Sequence, residues 1–144
     1  MTGRVVVDTS VYVAVLRDAI FAAAFRPVYE RGLPRTHLSS VVVQELLAGA
    51  RTGAHRRFAQ ALVEPFERAR RVVTPTHAIW RDAGDVLSTL WRDVRSFSGA
   101  IHGGLVNDVL IALTARAIGA TVVTRNRAHF EMIREIRSVG VEVL

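Results

Sequence analysis

Short segments suited to β-strands alternate along the chain with longer segments in which apolar residues recur at helical spacing. Five of the short segments predict strands: Val5–Val7, Arg35–Leu38, Arg71–Thr74, Thr121–Thr124 and Val141–Val143. Because predicted helices separate each strand from the next, the order favours a parallel sheet with helices on both faces. The pattern therefore predicts an α/β domain with three layers, α/β/α, around a central parallel sheet of four to five strands.

The segments between these strands predict the helices: Val11 to about Arg17, Phe21–Arg31, Ser40 to about Gly49, about Ala54–Val63, Pro75 to about Arg95, Val106–Ile118 and Arg127–Arg134. Before the sixth helix, Phe97–Gly104 contains three glycines and predicts a flexible loop. In such folds the functional groups gather at the carboxyl ends of the strands. The residues that directly follow each strand are therefore the first candidates for a site.

Several helix ends carry their own sequence signals. Ser10 or Thr9 is expected to cap the first helix, and Thr74, followed by proline, to cap the fifth. Pro65 is expected to break the fourth helix, because proline lacks a backbone N–H. Gly119 is expected to end the sixth helix.

The length of 144 residues fits one domain over residues 1–144. Half of the residues are hydrophobic, which argues against disorder, yet no apolar run reaches the roughly 18 residues of a membrane span. The N-terminal apolar run is too short for a secretion signal. The chain has no cysteine, which excludes disulfides and thiolate metal sites. We expect a soluble cytoplasmic protein without membrane contact.

The net charge of +6 comes from arginine alone, since all 19 basic residues are Arg. Arginine presents a planar set of donors to phosphate, and a basic surface is typical of nucleic-acid binders. A coding bias towards arginine would give the same count, so composition alone favours neither explanation. The absence of lysine does exclude mechanisms that require a catalytic lysine.

Three acidic residues stand out by position. Asp8 follows the first strand, Glu45 lies within a helix rich in valine and leucine, and Asp108 lies near the start of the most apolar helix. Each has an ordinary explanation: Asp8 as a helix cap, Glu45 as a solvated side chain, and Asp108 as an acid favoured by the helix dipole. Carboxylates that converge from separate elements repel one another unless a cation joins them, and Mg²⁺ prefers such oxygen ligands. Together the three acids predict a metal site that could act on a phosphodiester.

The order VVVDTS, SSVVVQELLAG and NDVLIALTARAIGATVVTRNRAHF resembles PIN domains, and most of all the VapC-type toxins of bacterial toxin–antitoxin pairs. The resemblance spans nearly the whole chain. It implies that Asp8, Glu45 and Asp108 are the catalytic acids that bind Mg²⁺ or Mn²⁺. It also implies an endoribonuclease that hydrolyses tRNA or rRNA through a metal-activated water.

The resemblance also assigns auxiliary positions. Ser10, or Thr9, matches the small hydroxyl residue beside the first acid, and Thr124 matches the threonine that closes the fourth strand. The usual fourth acid falls two residues later, where this chain has Asn126. An amide carries no charge, so we expect Asn126 to contribute to a weaker second metal position. His129 lies where other members often have an acid, and could be a ligand, a substrate contact or a surface residue.

Candidates for holding the RNA backbone are Arg17, Arg125 and Arg127, although surface solvation is the simpler explanation for each. The resemblance implies a cognate VapB-type antitoxin and a homodimer, and substrate specificity is expected to reside in Gly99–Gly104. The antitoxin could insert an arginine into the acidic pocket.

Competing enzyme classes lack their residues in this chain. A phospho-accepting receiver domain normally relies on a lysine, and a phosphate-binding loop needs a glycine-rich turn with lysine. Aspartate-nucleophile phosphatases have a second aspartate at the position of Ser10, and no nucleophile-elbow pattern is present. The remaining alternative is a catalytically weak or inactive PIN-fold module that binds RNA or protein.

Overall fold

The computed structural model of this protein describes residues 3–92 and 103–144. Within these ranges five parallel strands form one sheet, in the order β3-β2-β1-β4-β5. The strands are β1 (Val5–Val7), β2 (Thr36–Ser39), β3 (Val72–Val73), β4 (Thr121–Thr124) and β5 (Gly140–Val143). The predicted α/β architecture with a central parallel sheet is confirmed.

The helices are α1 (Thr9–Arg17), α2 (Ala19–Gly32), α3 (Ser40–Gly49), α4 (Gly53–Arg68), α5 (His77–Arg92), α6 (Gly103–Ala117) and α7 (Arg127–Ile136), with a short 3-10 turn at Leu33–Arg35. None of the helices in the described ranges has both the length and the apolar character needed to cross a membrane.

Strand β1 lies at the centre of the sheet and places the first acid. Successive side chains of a strand point to opposite faces, and all three valines of β1 are buried. Helices therefore cover both faces of the sheet at this strand. Helix α6 packs against β1 and β4 and contributes a continuous buried apolar stretch, Val109–Leu113. This packing places the N-terminal half of α6 close to the ends of the central strands.

Helix α4 corrects one prediction, because it runs through Pro65 to Arg68. Val63 and Phe66, on either side of the proline, are buried in the core. The apolar contacts of these two side chains keep the segment in place although Pro65 cannot donate a backbone hydrogen bond. The prediction that Pro65 breaks the helix was wrong because tertiary packing outweighs the local signal.

The caps of two helices also differ from the prediction. Helix α5 begins at His77, and the Thr76 hydroxyl accepts a hydrogen bond from Ile79 N at 3.2 Å, so Thr76 takes the capping role expected of Thr74. Helix α1 begins at Thr9, which places Thr9 and Ser10 inside the first turn and leaves Asp8 in the cap position.

Helix α6 begins at Gly103, before the expected Val106, so the end of the predicted loop is helical. The rest of that loop, Phe97 to residue 102, and the expected end of α5 near Arg95 lie outside the described residues.

The turn after α6 requires glycine. Gly119 has a φ of +67°, in the left-handed region. Its N–H donates to the Arg116 carbonyl at 3.1 Å, and Ala120 N–H donates to the Ala115 carbonyl at 2.8 Å. These two bonds form the Schellman motif that ends many helices at a glycine. The motif confirms Gly119 as the helix stop and directs the chain into β4.

We expect Gly119→Ala to lower the free energy of unfolding by about 1 kcal/mol, since a Cβ disfavours positive φ. Gly84→Ala is the matched control, because Gly84 lies within α5, where alanine stabilises a helix by about 0.5–1 kcal/mol. Neither added Cβ meets an atom within 4 Å. Urea unfolding of both variants measures the two effects, and equal shifts of the same sign would contradict this explanation of the turn.

Candidate functional site

Polar side chains gather where β1 and β4 end side by side. Asp8 directly follows β1, and Thr124 is the last residue of β4. The Thr124 hydroxyl donates to Asp8 Oδ2 at 2.8 Å, and the Ser10 hydroxyl donates to the same oxygen at 2.7 Å. Two hydroxyl groups therefore hold one oxygen of a carboxylate that is only 2% exposed.

Capping does not explain Asp8. The residue stands directly before α1, where aspartates commonly cap a helix, but its side chain makes no capping hydrogen bond. Its Oδ2 faces the hydroxyls of Ser10 and Thr124 instead. Burying a carboxylate is costly unless a partner compensates its charge, and two neutral hydroxyls do not supply that charge.

Glu45 reaches the same region from α3 and is half-buried. Thr9 donates to Glu45 Oε1 at 2.7 Å. Adjacent residues of α1 thus hold two different acids, since Thr9 bonds Glu45 whereas Ser10 bonds Asp8. The sequence predicted one hydroxyl residue beside the first acid, either Ser10 or Thr9. In the structure, Ser10 has that position, and Thr9 contacts the second acid instead.

Asp108 is the third acid, and it comes from the second turn of the buried helix α6. Its Oδ2 accepts a hydrogen bond from Asn126 Nδ2 at 3.0 Å and lies 2.6 Å from His129 Nδ1. Asn126 and His129 belong to the start of α7, which follows β4. These contacts on Asp108 link α6 to the same strand end that holds Asp8.

Asn126 serves two purposes that an aspartate could not combine. Its Oδ1 accepts from His129 N and caps α7, while its Nδ2 donates to Asp108. An ionised aspartate could cap the helix but has no proton to donate. The residue at the expected fourth acid position is thus a neutral donor to Asp108, with its amide oxygen directed to the helix.

The three acids share one electrostatic environment. Burial, together with the negative charges of Asp8 and then Glu45, raises the pKa of Asp108 from its ordinary 3.8 to about 8. The hydrogen bond from Asn126 lowers this pKa but does not offset the other effects. The surrounding hydrogen-bond donors therefore do not fully compensate the negative charge at this sheet edge.

A hard divalent cation fits this set of donors, because carboxylate oxygens are its usual ligands and its charge would offset the repulsion. In residues 3–92 and 103–144, no three or more acidic and histidine side chains form a ready metal-binding group. The fit therefore rests on the oxygen donors and on the uncompensated charge, and not on a preformed coordination shell.

The arginine candidates differ in their surroundings. Arg125 N donates to Ser10 Oγ at 3.0 Å, and the Arg125 guanidinium lies 4.7 Å from the centre of the Phe21 ring. Arg127 pairs with Glu131 at 3.0 Å on the surface of α7. Arg17 is exposed beside a cavity of about 110 Å³ that Glu45 also lines. The backbone of Arg125 is thus tied directly to the hydroxyl network of the acids.

Sequence reasoning missed Phe21. It lies in the first turn of α2, far along the chain from Arg125, and no local pattern distinguishes it from other core phenylalanines. Only the packing of α1 against both α2 and β4 brings it to the site. The expected specificity segment Gly99–Gly104 lies mostly outside the described residues.

Comparison with protein families gives a match to the family described as PIN domain, over residues 5–135. A comparison with curated protein sequences gives no match.

Solved structures provide fold relatives. The chain is similar to DNA-bound VapBC from Salmonella typhimurium, at 22% identity and a TM-score of 0.72, over 99% of this chain and 98% of that one. It is similar to FitAcB from Neisseria gonorrhoeae, at 21% identity and a TM-score of 0.64, over 95% of each chain. It is also similar to VapBC-5 from Mycobacterium tuberculosis, a member of the VapBC family of toxin–antitoxin systems, at 20% identity and a TM-score of 0.57, over 99% and 98%. Identities this low show a shared fold.

The raised pKa of Asp108 makes the free energy of unfolding of the metal-free protein depend on pH. The folded protein binds a proton here more tightly than the unfolded chain, so this contribution is present below pH 4 and is lost as pH rises through about 8. We expect Asp108→Asn, which cannot ionise, to gain stability relative to the wild type by more than about 1 kcal/mol between pH 5 and pH 8. Urea unfolding in EDTA measures this difference. A constant difference would show that Asp108 ionises normally.

Proposed function

This chain belongs to the PIN domain family, and on that premise we propose that it is a metal-dependent endoribonuclease, the toxin of a VapBC-type pair. PIN domains are generally nucleases. The observation that carries the proposal is the convergence of Asp8, Glu45 and Asp108 from three separate elements, where burial, followed by the charges of Asp8 and Glu45, raises the pKa of Asp108 to about 8. Such an arrangement is costly in a protein that has no use for a cation.

The proposed cofactor is Mg²⁺ or Mn²⁺, since PIN nucleases typically use divalent metals. Asp8, Glu45 and Asp108 would hold it. When bound, such an ion lowers the pKa of a water molecule and stabilises charge on a phosphodiester. Because Asn126 donates to Asp108 through its Nδ2, we propose that a second metal would be held only weakly on this side.

The chain's own residues position the carboxylates. The Ser10 and Thr124 hydroxyls hold Asp8 by Oδ2, and Thr9 holds Glu45 by Oε1. Asn126 and His129 hold Asp108 by Oδ2. Each acid is thus oriented through one oxygen by groups outside the acidic cluster. Partners of this kind around a metal ligand typically change metal affinity or activity 10–100-fold when they are removed.

RNA is the proposed substrate, with tRNA or rRNA as the specific class. The fold relatives include toxin–antitoxin proteins. The net charge of +6, despite the acids at the sheet edge, suits a polyanionic partner.

We expect the wild type to cleave total RNA with Mg²⁺ or Mn²⁺ and to lose cleavage when EDTA is added. Asp8→Asn and Asp108→Asn should each reduce the rate at least about 100-fold, since even partners outside the ligand set commonly cost 10–100-fold. Glu64→Gln is the matched control, because it removes one negative charge from an exposed position of α4. Full activity in both Asp variants would refute the proposed mechanism.

The rival proposal is a PIN fold that binds RNA or protein without cleaving it. The neutral Asn126 at the fourth acid position favours this rival. The same assay separates the two, because RNA binding without cleavage at any metal concentration supports the binding module. Cleavage that disappears with the chelator supports the nuclease.

We further propose a VapB-type antitoxin as partner, since the similar structures include VapBC complexes. The resemblance to VapC-type toxins is the ground for also proposing a homodimer. The antitoxin is expected to be encoded by a short reading frame upstream, as a small DNA-binding protein. The antitoxin should form a stable complex with this chain and suppress RNA cleavage. A complex that leaves cleavage unchanged would contradict the assignment of an antitoxin.

A further inference from the structure

We propose that Phe21 is a positioning residue that holds the Arg125 guanidinium as a phosphate-binding group beside the acidic cluster, an inference that rests on the proposed ribonuclease function. Two separate contacts place Arg125. Its backbone N–H donates to Ser10 Oγ at 3.0 Å, and its guanidinium lies over the Phe21 ring at 4.7 Å from the ring centre.

The backbone contact sets the distance from Arg125 to the site. Ser10 Oγ accepts from Arg125 N and itself donates to Asp8 Oδ2 at 2.7 Å. One hydroxyl group therefore separates the Arg125 backbone from the buried carboxylate. A phosphate contacted by the Arg125 side chain would belong to the same short stretch of nucleic acid as a phosphodiester at the acids.

The support beneath the guanidinium is rigid. Phe21 lies in the first turn of α2, where Asp18 Oδ1 accepts hydrogen bonds from Ile20 N and Phe21 N, each at 3.0 Å. The Phe21 ring is also stacked on Phe25, with ring centres 5.5 Å apart. Phe25 is buried in the core. The Phe21 ring is thus anchored on its protein side.

The charge of Arg125 is not used within the described part of the protein. Arg125 is exposed, and its guanidinium forms no ion pair with Asp8, Glu45 or any other described carboxylate. The backbone of Arg125 bonds the Ser10 hydroxyl that holds Asp8, and an ion pair from its guanidinium to an acid would compete with a cation. The stack on Phe21 engages the face of the guanidinium and leaves the N–H donors at its edge available. Those donors match a phosphate in two-point contact.

The test measures binding of a labelled, single-stranded 20-nucleotide RNA of mixed sequence in EDTA, so that cleavage does not enter. Arg125→Ala should weaken binding about tenfold and reduce the slope of log K against log salt by about 0.7, the value for one phosphate contact on a single strand. Arg116→Ala is the matched control, because it removes the same charge at the opposite end of α6 from Asp108. Equal losses in both variants would mean that only net charge matters, and would overturn the proposal.

A double-mutant cycle tests the role of Phe21. Phe21→Leu removes the aromatic ring but keeps an apolar side chain at this position and leaves the charge of Arg125 in place. It should weaken RNA binding several-fold in the wild-type background and add nothing to Arg125→Ala. An equal effect in both backgrounds would show that Phe21 acts independently of Arg125, through the fold or by its own RNA contact, and would overturn the proposal.

Thermal unfolding of each variant distinguishes lost positioning from lost structure. Failure of the nuclease proposal can be distinguished from failure of the Arg125 proposal, because the wild type would then show no Mg²⁺-dependent cleavage. The binding results in EDTA do not depend on that outcome. Cleavage by the wild type with unchanged RNA binding in Arg125→Ala would overturn the Arg125 inference alone.

Discussion

The site depends on the burial of carboxylates side by side at the carboxyl edge of the central sheet. Asp8 is held at the end of β1, and Asp108 arrives from α6, a helix whose apolar surface requires it to pack against β1 and β4. Hydrophobic packing of α6 and the termination of β1 thus force the two charges together. Burial raises the pKa of Asp108, the charges of Asp8 and Glu45 raise it further, and a bound divalent cation would offset these effects.

Neutral hydrogen-bond donors surround this charge without cancelling it. Hydroxyls of Thr9, Ser10 and Thr124 and the Asn126 amide orient the carboxylates, whereas the guanidinium of Arg125 is held on an aromatic ring. A positive side chain paired with the acids would occupy the place of a cation. Keeping the Arg125 charge beside the cluster leaves one region for the proposed metal and a neighbouring one for the proposed phosphate contact.

Local patterns were sufficient for the α/β fold, for the strand that ends at Asp8 and for the glycine stop at Gly119. They failed where longer-range packing decides, as at Pro65, where buried neighbours carry α4 through the proline. The resemblance directed attention to the strand ends, but it could not show that Asn126 donates to Asp108. Phe21 could not be found from the sequence, because its role exists only once α2 meets the end of β4.

On the proposed function, a divalent cation compensates the charge shared by the three acids. Titration calorimetry with Mg²⁺, repeated in buffers of different ionisation enthalpy, measures the protons released on binding. With the pKa of Asp108 at about 8, binding at pH 7 should release nearly one proton per ion, and much less at pH 9. Mg²⁺ binding with no proton release at pH 7, or no binding at either pH, would contradict the account.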